Sequence, residues 1–203
     1  MPAITINLKE AKGAIAFSGF HSDDLLEIAL TDPCTLNEMT LSKAEQAQRK
    51  VEYRRLAFLG DMIADAVLAD YLYRERPGLS HEDFDNYRQD LLNRPFLGNF
   101  AIDLGLPDFS SSWNRKNRKP PEEEPGTWGE MFEAVLGVLF LDADRNFDKV
   151  AQWLCDRFLR DAVEAYEDDE DYELDDDEDP TLVTSDDYAE MMGLSESDGV
   201  SFT

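Results

Sequence analysis

This sequence contains very little histidine and cysteine, and their scarcity excludes several kinds of site. His21 and His81 are its only histidines, and Cys34 and Cys155 are its only cysteines. A zinc site needs closely spaced Cys or His ligands, and a Ser-His-Asp triad needs a histidine beside its nucleophile, so neither has enough material here. Two cysteines without metal-ligand spacing indicate free buried thiols in a reducing compartment, and we expect a cytoplasmic protein.

Long apolar runs and basic residues are also in short supply. No stretch approaches the length of a membrane span, and the N-terminus lacks the basic-then-apolar pattern of a signal peptide, so we expect no membrane association. The chain carries 19 Lys and Arg against 45 Asp and Glu. Sixteen of those acids fall in residues 166–203, which hold no Lys or Arg, yet residues 1–165 are still acidic. This balance argues against nonspecific nucleic-acid binding through a broad basic surface, although it leaves room for a local basic patch.

Apolar residues recur at helical spacing through most of the sequence, and no pair of strands or internal repeat is evident. We therefore predict an all-α domain over residues 17–165, preceded by a short extended or frayed arm (1–16) and followed by a disordered acidic tail (166–203). The predicted helices cover 22–32, 50–75 (one helix or a kinked pair), 80–93, 95–104, 128–142 and 147–165. Ser80 and Asp83 form a predicted capping box at the start of the third of these helices.

Three carboxylates stand out because they lie in helices that are otherwise almost wholly apolar. Asp61 follows an apolar run that is interrupted only by Gly60, and Glu130 and Glu133 share one face of the helix predicted at 128–142. A soluble protein rarely places several acids among core residues unless a cation lies between them. Magnesium prefers such oxygen ligands, which makes a metal site the leading hypothesis.

A purely structural explanation of these acids stays open. Glu130 could simply begin its helix, where a negative charge interacts favourably with the helix dipole. Asp61 and Glu133 are harder to explain in this way because core residues surround each of them. Gly60 and Gly137 would also let the two helices approach closely and bring these two acids together.

The two acidic segments, taken together, resemble the signatures of the ribonuclease III endonuclease domain. The family's first signature, ERLEFLGD, is similar to RRLAFLGD at residues 54–61. Its second, DxFEALIGAxYLD, is similar to EMFEAVLGVLFLD at residues 130–142. Shorter flanking segments agree in the same order (LLEIALT at 25–31, YLYRERP at 71–77 and 88–93), so the resemblance covers about residues 17–160. It implies the family's all-α fold.

The resemblance also implies functional residues, with clear departures from the family pattern. The family's metal-binding and catalytic carboxylates fall on Asp61, Glu130 and Glu133, where Glu130 replaces the usual Asp. A fourth carboxylate falls on Ala57, and the outer acid of the first signature falls on Arg54. Three carboxylates could hold one Mg²⁺, with Mn²⁺ as a substitute, whereas a second ion would be held poorly. The mini-ribonuclease III branch also has Ala at the position of Ala57. Like this sequence, members of that branch carry no double-stranded-RNA-binding domain.

The implied activity is metal-assisted hydrolysis of double-stranded RNA by a homodimer, in RNA processing. Phe58 would be the apolar knob inserted into the partner subunit, although an ordinary core position explains it equally well. The candidate phosphate contacts belong to the basic half of the loop 107–126: Arg115, Lys116, Arg118 and Lys119. A solvated loop, balanced by the acidic residues 122–124, explains these four at least as well.

Two further questions stay open at the level of sequence. A catalytically weak or inactive domain of this fold, acting in RNA binding or assembly, is the alternative function, favoured by Ala57, Arg54 and the acidic surface. The tail could be a solubilising segment, could fold back over the RNA surface as an autoinhibitor, or could dock a partner through residues 188–194.

Overall fold

A computed structural model describes residues 6–111 and 119–174 of the chain, with side chains up to residue 168. Its α-helices, numbered here in chain order, are α1 (Leu8–Ile15), α2 (Asp23–Ala29), α3 (Lys43–Glu75), α4 (His81–Leu91), α5 (Arg94–Asp103), α6 (Leu106–Phe109), α7 (Pro125–Asp142), α8 (Phe147–Leu154) and α9 (Arg160–Leu174). Short 3₁₀ turns lie at Leu36–Glu38 and Pro121–Glu123, and a π-helical turn at Cys155–Leu159 joins α8 to α9. The described residues contain no strand, in agreement with the predicted all-α class.

The 33-residue α3 is the longest element and has well-defined ends. Ser42 accepts a hydrogen bond from the backbone N–H of Glu45, and the Glu45 carboxylate accepts one from the backbone N–H of Ser42. This reciprocal capping box starts the helix at Lys43, ahead of the start predicted at residue 50. The helix then continues without a break to Glu75, so a single helix replaces the kinked pair that the sequence had left open.

The apolar helix α7 lies at the centre of the domain. Every residue from Met131 to Leu139 is buried, as expected for a helix that is hydrophobic on all sides. Helices α3 and α5 are its two main neighbours. At the start of α4, Ser80 and Asp83 form the predicted capping box.

An aromatic cluster joins α7 to the elements around it. The Phe100 ring of α5 stacks on Phe158 of the π-helical turn with a centroid distance of 4.5 Å, and the Phe132 ring of α7 lies 5.6 Å from Phe100. Trp153 of α8 completes the cluster at 5.8 Å from Phe158. Such pairs stabilise a fold by about 0.5–1.5 kcal/mol each beyond the area they bury. The segment predicted as one helix at 147–165 is helical throughout, with a π-helical turn at Cys155–Leu159 in its middle.

The predicted N-terminal arm is wrong in conformation, because α1 is a helix. Asn7 caps it by accepting a hydrogen bond from the backbone N–H of Glu10 at 3.3 Å. Ala11 and Ile15, four residues apart, are fully buried, and the Ile15 carbonyl accepts a hydrogen bond from the Trp153 indole at 3.0 Å. The apolar alternation at residues 4–8 suggested an extended arm, but the buried contacts come from this later pair with helical spacing.

The chain separates into two compact units, residues 1–164 and 165–203. Helix α9 extends to Leu174, nine residues into the segment that we predicted as a tail. Extending an existing helix costs little because each added residue forms one further backbone hydrogen bond. Residues 175–203, with the predicted docking segment 188–194, lie outside the described part of the chain.

Candidate active site

Helices α3 and α7 touch through their backbones, and this contact positions two of the predicted carboxylates. A Cβ atom at Gly60 would lie 2.7 Å from the carbonyl carbon of Glu133 and 2.9 Å from the backbone nitrogen of Gly137. A Cβ atom at Gly137 would lie 3.0 Å from the carbonyl carbon of Leu56. Only glycine fits at either position. Asp61 follows Gly60 directly, so the contact brings Asp61 to the backbone of Glu133.

Helices α5 and α7 approach each other in the same way at two further glycines. A Cβ atom at Gly98 would lie 2.5 Å from the carbonyl carbon of Pro125, and one at Gly129 would lie 2.9 Å from that of Arg94. Glu130 follows Gly129 directly. The backbone contacts therefore hold Arg94 beside the carboxylate-bearing turn of α7.

The three predicted carboxylates line one cleft, which we call the carboxylate cleft. Its volume is about 400 Å³, and it lies where α3, α5 and α7 meet. Its lining comprises Arg54, Ala57, Phe58, Asp61, Leu92, Asn93, Arg94, Glu130 and Glu133. The structure thus brings Asp61, Glu130 and Glu133 to a common space, as the sequence predicted.

Glu133 is the most perturbed acid of the carboxylate cleft. Its side chain is buried, with 7% of the residue exposed. Burial is the main cause that raises the pKa of Glu133 to about 7; the nearby charges of Asp61 and Glu130 contribute to the rise, and Arg94 opposes it. No hydrogen bond or ion pair to this carboxylate occurs among the residues that the structure describes. A cation entering the cleft would relieve this unfavourable charge.

Asp61 shows the same tendency in a more exposed setting. Burial raises the pKa of Asp61, and the neighbouring charge of Asp65 adds to the effect, whereas Arg88 and Arg94 lower it. Arg88 forms an ion pair with Asp65 at 3.0 Å, which leaves Asp61 without a paired cation in the described structure.

The donor set fits a hard divalent cation, although the acids do not form a complete coordination shell. No three Asp, Glu, His or Cys side chains in residues 6–111 and 119–168 lie close enough together to hold a metal ion as they stand. Mg²⁺ typically retains several water ligands and is bound through only one or two carboxylates. Asp61 and Glu133, with unpaired oxygens facing one cleft, meet that requirement.

The other predicted site residues have separate positions. Phe58 is on the surface of α3, with 68% of the residue exposed, so it is not an ordinary core residue. Lys119 lies 3.9 Å from the Glu124 carboxylate, an ion pair of the kind that the solvated-loop interpretation predicts. Arg115, Lys116 and Arg118 lie outside the described residues, so the predicted RNA contacts stay untested.

The sequence did not identify Arg94 as a site residue. It is the first residue of α5, after the cap Asn93, and no spacing in the sequence relates it to acids that lie about 35 residues later. Only the close approach of α5 to Gly129 places Arg94 in the cleft lining. Arg54 had been noted solely as a departure from the family pattern, and its position in the cleft lining is likewise a structural result.

Residues 54–144 match the family described as "Ribonuclease III domain". The chain carries a ribonuclease III domain. The matched segment contains α4, α5 and α7 and most of α3, and therefore every residue of the carboxylate cleft.

Relatives of this ribonuclease III domain are found in several bacteria. The chain is 30% identical over 135 residues to Ribonuclease 3 of Lactococcus lactis, and 33% identical over 132 residues to Ribonuclease 3 1 of Nostoc sp.. These matches cover 66% and 64% of the chain, but only 55% and 54% of the relatives. The chain thus spans about half the length of the curated relatives it matches.

The solved structures that resemble the chain show the same fold. A nuclease domain of ribonuclease III from Campylobacter jejuni is 24% identical, with a TM-score of 0.56, and the match covers 75% of this chain and 99% of that domain. That structure was described for flexibility in a region involved in dimer formation. A second structure of that nuclease domain has a TM-score of 0.55. The predicted ribonuclease III fold is therefore confirmed. Of the helices that the structure describes, none is long and apolar enough to cross a membrane.

Proposed function

We propose that this protein is a metal-dependent endoribonuclease that hydrolyses phosphodiester bonds of double-stranded RNA and acts as a homodimer. The observation that carries the proposal is the carboxylate cleft, in which three acids of the family pattern converge beside a backbone contact that permits only glycine. Buried, mutually repelling carboxylates are costly to a fold and are typical of functional sites. The relatives named Ribonuclease 3 support a ribonuclease over other hydrolases.

Asp61 and Glu133 would hold Mg²⁺, or Mn²⁺ in its place, and Glu130 would support them directly or through water. When bound, such an ion supplies an activated water and stabilises negative charge on a phosphate. The chain's own part is to hold the two carboxylates at a fixed separation, because main-chain contacts set the distance between α3 and α7. Without an ion, Arg94 partly offsets the negative charge of Asp61 and Glu133.

The exposed apolar stripe of α3 supports the homodimer. Val51, Phe58 and Met62 are large hydrophobic residues that are exposed by 58%, 68% and 40%. Their spacing of seven and then four residues places them on one helix face. Phe58 borders a shallow apolar hollow of about 380 Å³ that it forms with Val51, Arg54 and Arg55. A second copy of the chain, presenting the same stripe, would cover these residues across a twofold axis.

Cleavage of a labelled RNA duplex in the presence of Mg²⁺ tests the proposed function. We expect the wild-type protein to cut the duplex, and expect Asp61→Asn and Glu133→Gln to abolish cutting. Asp70→Asn is the matched control, because Asp70 lies on the same helix as Asp61 but forms an ion pair with Arg74 outside the cleft. Equal cutting by all four proteins, or cutting that persists in EDTA, would refute the proposal.

The alternative is an RNA-binding or assembly protein that has lost catalysis. Two observations favour it: Ala57 stands where the family pattern has a carboxylate, and the described acids do not form a ready coordination group. A folded dimer that binds the duplex but leaves it uncut with Mg²⁺ or Mn²⁺ would establish this alternative.

A further inference from the structure

We infer that a cationic groove beside the carboxylate cleft binds a backbone phosphate of the RNA, through Arg54 and Arg94 with Lys50 in support. The inference rests on the proposed function and deepens it, because it assigns a second subsite to the same substrate. It concerns cationic side chains of this chain rather than the carboxylates proposed to bind the metal ion.

The cationic groove has a volume of about 650 Å³ and adjoins the carboxylate cleft. Arg54, Arg94 and Glu130 line both spaces, so a ligand could extend from one into the other. Lys50 and Tyr53 of α3 also line the groove. The acidic residues in its lining are Asp32 and Glu130.

One face of α3 runs from the groove into the cleft. Lys50, Arg54, Ala57 and Asp61 follow one another at intervals of four, three and four residues, which places them in a line along the helix. The charge along this line changes from positive to negative. At a rise of about 1.5 Å per residue, a phosphate held at Arg54 would lie roughly 10 Å along the helix from Asp61.

The cations of the groove are unpaired, which is unusual in so acidic a chain. Neither Lys50 nor Arg54 has an acidic residue three or four positions away on α3, and no ion pair to either, or to Arg94, occurs among the residues that the structure describes. Other arginines of α3 are paired with carboxylates at 2.7–3.1 Å: Arg49 with Glu27, Arg55 with Glu52 and Arg74 with Asp70.

Phosphate is the ligand that this arrangement fits best. A guanidinium group donates parallel N–H bonds in a fork that matches two phosphate oxygens, and it remains charged at every physiological pH. Two such groups, from α3 and α5, face the groove and are exposed, so a ligand can reach them without rearrangement of the core. Since the groove opens into the cleft, a phosphate near the scissile one along an RNA strand is the natural occupant.

Binding of a short labelled RNA duplex to the full chain in EDTA tests the inference without metal or cleavage. We expect Arg54→Gln and Arg94→Gln each to weaken binding about tenfold, the loss typical of one charge-assisted phosphate contact. Each should also reduce the slope of log affinity against log salt concentration by about one. Arg54→Glu, which restores the acid of the family pattern at this position, should weaken binding further.

Arg74→Gln is the matched control, since it removes one exposed positive charge from the same helix at a residue that is already paired. It should leave affinity and salt slope unchanged. Thermal unfolding of each variant at the wild-type temperature would show that the exposed substitutions leave the fold intact.

Each outcome has a distinct meaning. Equal losses for Arg74→Gln and the groove variants would indicate a diffuse charge effect and overturn the subsite. Unchanged binding by Arg54→Gln and Arg94→Gln would also overturn it, while leaving the proposed nuclease untouched. Tighter binding by these variants would overturn it as well. A wild-type protein that does not bind the duplex in EDTA would overturn the subsite, whereas the proposed function would still be decided by the cleavage assay with Mg²⁺.

Discussion

Replacing Glu133 with Gln should stabilise the metal-free protein at alkaline pH. Glu133 has its pKa raised by burial from an ordinary 4.5 to about 7, so the folded state binds this proton more tightly than the unfolded chain does. Stability is therefore lost as the pH rises from 4.5 towards 7, and the loss is complete above 7. The raised pKa corresponds to roughly 3 kcal/mol, which the neutral amide of Gln does not incur.

Urea unfolding in EDTA measures this effect. We expect the advantage of Glu133→Gln over wild type to grow from under about 1 kcal/mol near pH 5 to roughly 3 kcal/mol near pH 8. Asp70→Asn serves as the control because its carboxylate is half-exposed and ion-paired, and its difference from wild type should change by less than about 0.5 kcal/mol across the same range.

Added Mg²⁺ provides the second half of the test. An ion that binds the folded cleft should raise wild-type stability in proportion to the logarithm of its concentration, and should stabilise Glu133→Gln much less. The reasoning is refuted if the advantage of the Gln variant is the same at both pH values. A constant advantage would mean that the Glu133 carboxylate is solvated in the folded protein.

Three further substitutions test the frame of the domain. Gly60→Ala should unfold the domain or cost several kcal/mol in urea unfolding, because its Cβ would lie 2.7 Å from a carbonyl carbon of α7. The control Gly13→Ala lies in open space on α1 and should be neutral or slightly stabilising. Equal effects of the two substitutions would contradict the contact. Phe58→Ala should shift the protein towards monomer in sedimentation velocity. Because the ring is exposed, the substitution should cost less than about 1 kcal/mol of stability. The control Tyr73→Ala, also exposed on α3, should leave association unchanged. Asp142→Asn should cost about 1–3 kcal/mol, because this carboxylate accepts backbone hydrogen bonds that fix the start of α2.

The last of these substitutions also carries a pH signature. Burial alone would raise the pKa of Asp142, but hydrogen bonds from Ser22 and from the backbone N–H of His21 outweigh it and lower the pKa. The stability that Asp142 contributes is thus present above its ordinary pKa of 3.8 and is lost as the pH falls through the lowered value. The difference between wild type and Asp142→Asn should therefore shrink in acid; a difference that does not vary with pH would contradict the hydrogen bonds.

Local sequence signals predicted most of the helices because those signals act over a few residues. The Ser80 capping box and the uniformly apolar α7 were both legible in this way. The start of α3 was missed although Ser42 and Glu45 form an equally regular box, because the polar residues around it carry little periodicity. Helix α1 was missed because its buried pair, Ala11 and Ile15, is meaningful only once the surface it covers is known.

The carboxylate cleft was predictable in part. Asp61, Glu130 and Glu133 could be selected because acids are conspicuous among apolar residues. Arg94 could not, since its place depends on the approach of two backbones from distant parts of the chain. The same limit applies to the unpaired state of Arg54, which depends on which acids other helices bring near it.

The backbone contact at Gly60 also bears on how the cleft could be redesigned. Since main-chain atoms of α3 and α7 touch there, no side-chain length enters the separation of the two helices. Side chains that line the cleft, such as those at Ala57 and Arg54, can therefore be exchanged without altering the distance between the segments that carry Asp61 and Glu133. An engineer could therefore vary the number and sign of charges in this cleft while the separation of α3 and α7 stays constant.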